Sequence, residues 1–296
     1  MKIEAYAKIN LTLDIVGKRS DGYHDLIMIM QSVGLHDDVT VNLNDSGKIA
    51  VKSSSALLAD DESNIAYKAA KAFFEYSRTP IRGVEIQIEK NIPMEAGMAG
   101  GSADGAAVIF ALNQLCGTEY SEEILWKIGV KVGADVPFCI TGGTMLSQGK
   151  GEILSSIPKM SDFKNPPVIL LCKPDIGVST GKAYAAVDSC DKASIVRPDT
   201  EGMKKALREM DTVEVAKKLS NVFEQVLNID ECNAIKSIML ESGALGACMT
   251  GSGTTVFGIF NDAELAKQCS FTLAKNYKNI YITDASDCGC KIVEKI

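Results

Sequence analysis

The first segment of the chain alternates apolar and polar residues with a period of two. The apolar positions are Ile3, Ala5, Ala7, Ile9, Leu11, Leu13 and Ile15. The residues between them are Glu4, Tyr6, Lys8, Asn10, Thr12 and Asp14. Because successive side chains of a strand point to opposite faces, this pattern predicts a strand that is buried on one face only. Lys8 and Asn10 are expected side by side on its polar face.

The remainder of the first half predicts strands and helices in mixed order. Turn residues at 17–24 end the first strand, and Asn64 is a typical N-cap at the start of an amphipathic helix. The predicted strands are 25–33, 37–44 and 83–92, with a hairpin at 142–154. The predicted helices are 64–77, one that runs from the glycine-rich stretch to about Leu115, and one at about 121–131, followed by a loop, "GADVP", at 133–137.

The composition changes at residues 155–167, "SSIPKMSDFKNPP", which are rich in serine, proline and lysine and predict a hinge. Beyond it the pattern predicts a strand at 168–174, helices near 180–188, 200–209 and 211–229, and a strand–turn–strand unit at 246–260. We therefore predict an α+β fold built from two-layer units, divided into domains at 1–156 and 157–296.

Charge and composition exclude several classes of protein. The net charge of −7 and the isoelectric point near 5.1 argue against a general nucleic-acid binder and against a basic membrane-surface protein. The sequence has neither the apolar block of a signal peptide nor a run of about 18 apolar residues. The nine cysteines are scattered without a zinc-type or redox-type spacing. We expect a protein of the reducing cytoplasm.

Residues 92–107, "IPMEAGMAGGSADGAA", combine small residues with the start of a helix. Small residues let backbone N–H groups approach an anion, and a helix N-terminus adds unpaired N–H groups and a positive dipole end. The stretch lacks the Gly-Lys-Ser/Thr of a Walker loop and the G-x-G-x-x-G of a dinucleotide site. Spacing alone leaves two interpretations open, an anion site and tight packing of a helix on a sheet.

Two further groups of residues are ambiguous when taken separately. Lys8 fits a solvated strand lysine, and Asp135 fits a residue that stabilises a turn. Together they suit phosphoryl transfer, which needs positioning, charge stabilisation and a carboxylate that accepts a hydroxyl proton. "SDGYH" at 20–24, with Thr180 and Tyr184, fits either a plugged surface turn or recognition of a planar ring. "GSGTT" at 251–255 fits a strand turn or a second backbone nest.

These segments together resemble the GHMP kinases, a family named for galactokinase, homoserine kinase, mevalonate kinase and phosphomevalonate kinase. "PMEAGMAGGSADGAA" is similar to the family signature P-x-x-x-G-L-[GA]-[GS]-S-[SA]-A. "AYAKINLTLDIVGKRSDGYH", "GADVPF" and "TGSGTTVFG" are similar to segments of the members that phosphorylate 4-diphosphocytidyl-2-C-methyl-D-erythritol. Order and spacing agree from residue 2 to about residue 260.

The resemblance implies a fold and an activity. The N-terminal unit would be of the ribosomal-S5-domain-2 type and the C-terminal unit ferredoxin-like, with the site between them. The activity would be transfer of the γ-phosphoryl group of ATP to the 2-hydroxyl of the substrate, in non-mevalonate isoprenoid synthesis. The partner would be a small molecule that carries a cytidine diphosphate group, and neither nucleic acid nor membrane. The oligomeric state is not predicted.

The resemblance also implies roles for individual residues. Asp135 would be the base for the substrate hydroxyl, and Lys8 would orient that hydroxyl and hold its charge. The ATP-binding residues would be Asn64, Lys90, Pro93, Met94, Glu95, Ala96, Gly97, Met98, Ala99, Gly100, Gly101, Ser102 and Ala103. The substrate-binding residues would be Asn10, Tyr23, His24, Thr180 and Tyr184. Cytosine would stack between Tyr23 and Tyr184, and His24 would read its edge.

The sequence departs from the family pattern at four positions of the glycine-rich loop, Glu95, Ala96, Ala99 and Ala103. Glu95 places a carboxylate in a loop assigned to anions, and Ala103 replaces a common serine. Ala99 replaces a common glycine, so its φ is expected to be negative. Mg²⁺ is expected to arrive with ATP, without a dedicated protein ligand. Two alternatives remain: another small-alcohol kinase of the family, which would not need Tyr23 and His24, and a non-catalytic nucleotide-binding protein.

Overall fold

The computed structural model describes residues 1–78 and 83–294, and its larger sheet is organised around two long strands. β1 (Lys2–Lys18) and β2 (His24–Leu43) pair antiparallel along nearly their whole length. The other strands of this sheet are β3 (Ile49–Ser53), β4 (Val84–Glu89), β5 (Thr144–Gly149), β6 (Ile153–Ser156), β8 (Ser220–Asn221) and β12 (Cys290–Glu294). The main order is β12-β1-β2-β4-β3. β5 pairs with residues 26–31 of β2 and β4 with residues 38–43, so β2 serves two partners in succession.

Four helices cover one side of this sheet or its end. They are α1 (Ile65–Ser77), α2 (Gly100–Leu115), α3 (Glu122–Gly129) and α4 (Val136–Thr141). α2 contacts β1 and β2, with α1 and α4 beside it. Its core-facing residues are mostly alanine, valine and isoleucine, and small side chains let the helix lie close to the strands. This packing fixes the N-terminus of α2 opposite the middle of β1.

The smaller sheet is antiparallel and has the order β11-β7-β10-β9. Its strands are β7 (Val168–Lys173), β9 (Gly246–Met249), β10 (Val256–Phe260) and β11 (Asn279–Thr283). The helices of this half are α5 (Thr180–Ser189), α6 (Thr200–Arg208), α7 (Thr212–Lys217), α8 (Val222–Leu227), α9 (Asp230–Glu241) and α10 (Ala263–Leu273). α9 and α10 pack against the sheet, while α8 contacts β1. The turn after β9 therefore reaches the first sheet, where it meets the polar face of β1.

Several sequence predictions are confirmed and several are wrong. The first strand, the hairpin of β5 and β6, and α1 with Asn64 as its N-cap are confirmed. Residues 25–33 and 37–44 form one strand, not two, because β4 and β5 pair with successive halves of it. The predicted helix at 211–229 is interrupted where β8 pairs with β1. The predicted loop at 133–137 contains the start of α4.

The prediction that β1 is buried on only one face is also wrong. Lys8, Asn10, Thr12 and Asp14 on its polar face are all buried. The cover comes from the glycine-rich loop and the turn after β9, which are distant in sequence: the backbone N–H of Lys8 donates to Met98 O, and that of Asn10 donates to Thr250 Oγ1. Burial of this face turns a strand surface into the wall of an enclosed site.

The division of the chain at residue 156 stays a prediction, and residues 295–296 of the second predicted domain lie outside the described residues. The final strand, β12, returns to the first sheet and pairs with β1. Across residues 1–78 and 83–294, none of the helices has the length and apolar character required to span a bilayer.

Candidate active site

A cavity of about 570 Å³ is lined by residues from both halves of the chain, and most of the predicted site residues are among them. Those residues are Lys8, Tyr23, Lys90, Pro93, Met94, Glu95, Ala96, Gly97, Met98, Ala99, Gly100, Gly101, Ser102, Asp135, Thr180 and Tyr184. The four predicted residues that do not line it are Asn10, His24, Asn64 and Ala103. The structure thus brings segments from β1, α2, α4 and α5 to one space.

Lys8 and Asp135 lie on the wall of this cavity. Lys8 is 4% exposed in the middle of β1, and its Nζ donates to Asn10 Oδ1 at 2.6 Å. Burial lowers the pKa of Lys8, while the negative charge of Asp135 opposes that shift. Asp135 is the residue before α4, and its carboxylate has no hydrogen-bond or ion-pair partner among the described residues. A buried ammonium and an unengaged carboxylate therefore face the same space.

Asn10 lies behind Lys8 and links the two halves of the molecule. Its Oδ1 accepts hydrogen bonds from Lys8 Nζ, from Thr250 Oγ1 at 3.3 Å and from the N–H of Gly251 at 3.0 Å. The amide of Asn221 donates to Met249 O and Gly251 O at 2.7 and 2.8 Å and holds the same turn. Sequence reasoning missed Thr250 and Asn221, because their partners are more than 25 residues away along the chain.

The glycine-rich loop has an unusual backbone. Positive φ angles occur at every second residue: 50° at Glu95, 71° at Gly97 and 57° at Ala99. Left-handed residues that alternate with others turn successive N–H groups toward one side, which is the geometry of an anion nest. The loop leads into α2, whose first N–H groups have no intrahelical partner. Loop and helix together offer a concentration of backbone donors without any side-chain cation.

The expected negative φ of Ala99 is wrong. Ala99 is the residue before α2 and has φ 57° and ψ 30°, in the left-handed region. The nest geometry overrides the local preference of alanine, at a cost of about 1–2 kcal/mol. Gly97 has a second reason to be glycine, since a Cβ there would overlap Thr250 O. The glycine-rich loop is therefore held in place by close contact between Gly97 and the turn after β9.

Glu95 lies at the mouth of the cavity. Its side chain is exposed, and Oε2 would lie 2.6 Å from a Cβ built on Gly177, in the segment that follows β7. The carboxylate therefore rests against the backbone of the second half of the chain.

The opposite end of the cavity is aromatic. Tyr184 stacks on His24 with ring centroids 4.6 Å apart and an interplanar angle of 17°, and contacts Phe223 edge to face at 5.0 Å. Burial raises the pKa of Tyr184 to about 12, so its hydroxyl is neutral near pH 7. Tyr23 is 59% exposed, and Lys150 Nζ lies 4.3 Å from its ring centroid. Lys150 and Phe223 are cavity residues that sequence reasoning missed, since neither stands in a recognisable motif.

His24 is held from behind by a charged pair. Its Nε2 contacts Asp188 Oδ1 at 2.8 Å, and Lys18 Nζ contacts Asp188 Oδ2 at 2.5 Å. Hydrogen bonds from Lys18 and His24 hold the pKa of Asp188 at about 2. Because an ionised carboxylate only accepts hydrogen bonds, His24 Nε2 is the donor to Asp188. Asp188 lies four residues after Tyr184 on α5, so the same helix places both partners of His24.

The remaining predicted residues surround the glycine-rich loop. Lys90 Nζ contacts the carboxylates of Asp37 and Asp104. Asn64 Oδ1 accepts from the N–H of Ala66 at 2.9 Å and caps α1, and its Nδ2 donates to Ala59 O at 2.8 Å. Ala103 is buried, and its N–H donates to Ala99 O at 2.9 Å within the first turn of α2. The roles that the resemblance gave these residues stay predictions.

Metal-binding side chains do not cluster in the described part of the chain. No group of three or more histidine, cysteine, aspartate or glutamate side chains could hold a metal ion among residues 1–78 and 83–294. All nine cysteines are free thiols. The backbone nest and the α2 N-terminus fit a phosphate group, which is where a nucleotide would bring its own Mg²⁺.

Family models of the GHMP kinases match both halves of the chain. The model described as GHMP kinases N terminal domain matches residues 64–143, which include α1, the glycine-rich loop and α4. The model described as GHMP kinases C terminal matches residues 203–279, which include the turn after β9. The two matches therefore contain segments from both sides of the cavity.

Proteins named 4-diphosphocytidyl-2-C-methyl-D-erythritol kinase are similar to the chain along most of its length. The one from Acetivibrio thermocellus is 46% identical over 268 residues, covering 90% of this chain and 92% of the relative. The one from Clostridium tetani is 44% identical over 286 residues, covering 96% of this chain and 99% of the relative. The similarity thus extends well beyond the motifs.

Solved structures with the same fold include other members of the family. A 4-(cytidine 5'-diphospho)-2C-methyl-D-erythritol kinase is 28% identical, with a TM-score of 0.79 and coverage of 97% of this chain and 99% of that chain. A homoserine kinase from Cytophaga hutchinsonii is 20% identical, with a TM-score of 0.80 and coverage of 99% and 97%, and shares the fold. The α+β fold expected from the resemblance is confirmed. By its family models, its relatives and its fold, the chain belongs to the GHMP kinase family.

Proposed function

We propose that this chain transfers the γ-phosphoryl group of ATP to the 2-hydroxyl of 4-diphosphocytidyl-2-C-methyl-D-erythritol, as a cytoplasmic enzyme of non-mevalonate isoprenoid synthesis. One observation carries the proposal: a single cavity is lined by Lys8, Asp135, the glycine-rich loop and the aromatic pair Tyr23 and Tyr184. The names and high coverage of the relatives support the choice of substrate.

Asp135 is the proposed base. Its carboxylate is free of partners in the described structure, so it can accept the proton of a substrate hydroxyl. The hydroxyl oxygen then forms the new bond to the γ-phosphorus, the bond to the β-phosphate oxygen breaks, and ADP leaves. Lys8 lies on the same cavity wall and holds the negative charge that develops during the transfer.

The glycine-rich loop is the proposed phosphate site. Its positive-φ residues, Glu95, Gly97 and Ala99, turn backbone N–H groups toward the cavity side, and the α2 N-terminus adds its own donors and dipole. Preorganised donors of this kind stabilise transferring phosphoryl groups without moving during the reaction. When bound with ATP, Mg²⁺ would supply positive charge that neutralises part of the phosphate charge, while the loop and the α2 N-terminus hold the phosphates through backbone N–H groups.

The aromatic end is the proposed cytidine site. Cytosine would stack between Tyr23 and Tyr184, on the face of Tyr184 that is turned away from His24. His24 stacks on the other face of Tyr184 and would support that ring, so the predicted reading of the cytosine edge by His24 does not fit this arrangement. Thr180 at the start of α5 and Asn10 behind Lys8 complete the predicted substrate side.

The test is release of ADP from ATP by the purified chain, with and without the cytidine substrate. Asp135→Asn is expected to lower kcat by about 10²–10⁴-fold, the usual contribution of a general base. Glu241→Gln, an acid-to-amide change on the surface of α9, is the matched control and is expected to keep full activity.

Three outcomes would contradict parts of the proposal. A near-full rate in Asp135→Asn would show that the assigned base is wrong. Equal turnover of homoserine or mevalonate would show that the enzyme is another small-alcohol kinase. Binding of an ATP analogue without turnover of any alcohol would identify a non-catalytic nucleotide-binding protein.

A further inference from the structure

A buried charge cluster lies beneath the glycine-rich loop, where one lysine stands between two aspartates. Lys90 Nζ contacts Asp37 Oδ2, and it contacts Asp104 Oδ2 at 2.8 Å. The side chains are 5%, 0% and 1% exposed for Lys90, Asp37 and Asp104. Asp37 belongs to β2, Lys90 follows β4 and Asp104 lies in the first turns of α2. One positive charge therefore faces two carboxylates away from water.

The two aspartates differ in their hydrogen bonds. Asp37 Oδ1 accepts from the N–H groups of Asn91 and Ile92 at 2.6 and 2.8 Å, and its Oδ2 accepts from Lys90. Asp104 Oδ2 accepts from Lys90, but its buried Oδ1 has no hydrogen-bond partner in the described part of the chain. Hydrogen bonds from donors favour an ionised carboxylate, and burial without donors favours a protonated one. The proton that would balance the cluster therefore belongs on Asp104.

Among residues 1–78 and 83–294, no second positive charge contacts the two carboxylates. Cys139 of α4 and Tyr281 of β11 interact with Asp104 and Asp37 respectively, and burial raises the pKa of both, so both are neutral at pH 7. Burial tends to lower the pKa of Lys90, but the carboxylates outweigh it and the net shift is upward, which keeps Lys90 charged. Burial, opposed by Lys90 and reinforced by Asp37, raises the pKa of Asp104 to about 8.

We propose that Asp104 is a positioning residue that carries a proton at neutral pH, so that the triad of Lys90, Asp37 and Asp104 is electrically neutral. The triad ties both ends of the loop together, since Asp37 holds the backbone at 91–92 where the loop begins and Asp104 lies on α2 where it ends. A neutral triad leaves the positive end of α2 unopposed, whereas an ionised Asp104 would place a buried negative charge beside it.

This effect on nucleotide binding rests on the proposed function, but the protonation of Asp104 does not. In the folded chain Asp104 keeps a proton that the unfolded chain releases above its ordinary pKa of 3.8. The stability that protonated Asp104 contributes to the wild-type protein is therefore lost as the pH rises from about 4 to about 8. Asp104→Asn has the shape of the protonated acid and does not titrate, so it escapes this loss.

The first experiment is thermal unfolding of the nucleotide-free full chain from pH 5 to pH 9. The Tm of Asp104→Asn minus that of the wild type is expected to grow by several degrees up to about pH 8 and then level off. Glu75→Gln, an exposed acid-to-amide change on α1, is the control and should show no such growth. A difference between Asp104→Asn and wild type that stays constant with pH would overturn the proposal.

Asp37→Asn separates the two aspartates. It removes a charged acceptor of two backbone N–H groups, so it is expected to lower the Tm at every pH. If the Tm of Asp37→Asn minus that of the wild type grew with pH as expected for Asp104→Asn, the proton would lie on Asp37 and not on Asp104. Failure of this variant to fold leaves the Asp104→Asn measurement decisive by itself.

The second experiment measures the affinity for ADP at pH 7 and pH 9 by calorimetry. The wild type is expected to lose affinity severalfold between these values, while Asp104→Asn loses much less, because only the wild type gains a buried negative charge. Equal losses in both proteins would overturn the coupling to the loop. Absence of ADP binding at either pH would contradict the proposed function and leave the thermal result to decide the protonation of Asp104.

Discussion

The two ends of the cavity are formed by different chemical groups. The phosphate end consists of Lys8 and the glycine-rich loop, and the aromatic end consists of Tyr23 and Tyr184. At the phosphate end, Lys8 is 4% exposed, and the donors are backbone N–H groups of the glycine-rich loop. At the aromatic end, Tyr23 is 59% exposed on the turn between β1 and β2, and Lys150 lies over its ring. The first set is held by hydrogen bonds from both halves of the molecule, whereas Tyr23 and Lys150 of the second set lie in turns.

This difference matches the demands of the two tasks. Stabilising charge during phosphoryl transfer depends on donors that are already in place, because reorganisation would cost as much as they contribute. Holding a flat ring depends on area and stacking, which tolerate movement of a side chain. Substitutions at the phosphate end should therefore change kcat, and those at the aromatic end should change KM for the cytidine substrate.

The largest expected effect separates the two lysines. Lys8→Met removes the buried ammonium but keeps its volume, and Asn10 Oδ1 retains Thr250 and Gly251 as donors, so the fold should survive. We expect kcat to fall by about 10²–10³-fold, as for other preorganised groups. Lys150→Met is the matched change at the aromatic end. It should raise KM for the cytidine substrate severalfold with kcat nearly unchanged. Similar effects of both substitutions on kcat would break the comparison.

The next effect tests whether the loop is fixed by its contact with the turn after β9. Gly97→Ala adds a Cβ that overlaps Thr250 O at a φ of 71°. We expect a loss of about 2–4 kcal/mol in the free energy of unfolding, from left-handed strain plus overpacking, and a higher KM for ATP.

Gly17→Ala is the control for this prediction, because a Cβ at Gly17 meets no atom within 4 Å and its φ is not positive. Denaturant unfolding should show little change for that variant. A Gly97→Ala protein as stable as the Gly17→Ala protein would show that the loop can move away from the turn.

A smaller effect is expected at the exposed aromatic ring. Tyr23→Ala removes one stacking surface while leaving Tyr184 supported by His24 and Phe223. Stacking of a base on an aromatic side chain contributes about 1–3 kcal/mol, so KM for the cytidine substrate should rise by about 10-fold or more. Tyr23→Phe should restore wild-type KM, and KM for ATP should not respond. A fall in kcat without a change in KM would show that Tyr23 acts in phosphoryl transfer and not in binding the cytidine substrate.

Local patterns predicted the elements and the faces of this site. The period-two pattern placed Lys8 and Asn10 on one face of β1, and the glycine-rich stretch gave the start of α2. Asn64 was predicted as an N-cap because capping involves residues only two positions apart. Each of these features depends on neighbours in sequence, which a single chain displays.

Features created by distant contacts could not be predicted. The burial of the polar face of β1 depends on Thr250, which is 240 residues from Asn10. The partners of Lys90 come from β2 and α2, and no sequence pattern pairs Asp37 with Asp104. The predicted negative φ of Ala99 was wrong because packing of the whole loop outweighs a local preference of about 1–2 kcal/mol. Tertiary context decides such cases.

The smallest expected effect concerns that same residue. Ala99→Gly removes the left-handed strain at φ 57° but gives the unfolded chain more freedom, so we expect a net gain of about 0.5–1 kcal/mol in the free energy of unfolding. Ala96→Gly is the control, since Ala96 is buried without a positive φ and should lose stability. Denaturant unfolding of both variants measures the difference. Loss of stability in Ala99→Gly would mean that the methyl group packs well enough to offset its strain, and the phosphate end would then owe its rigidity to side-chain packing as well as to its backbone.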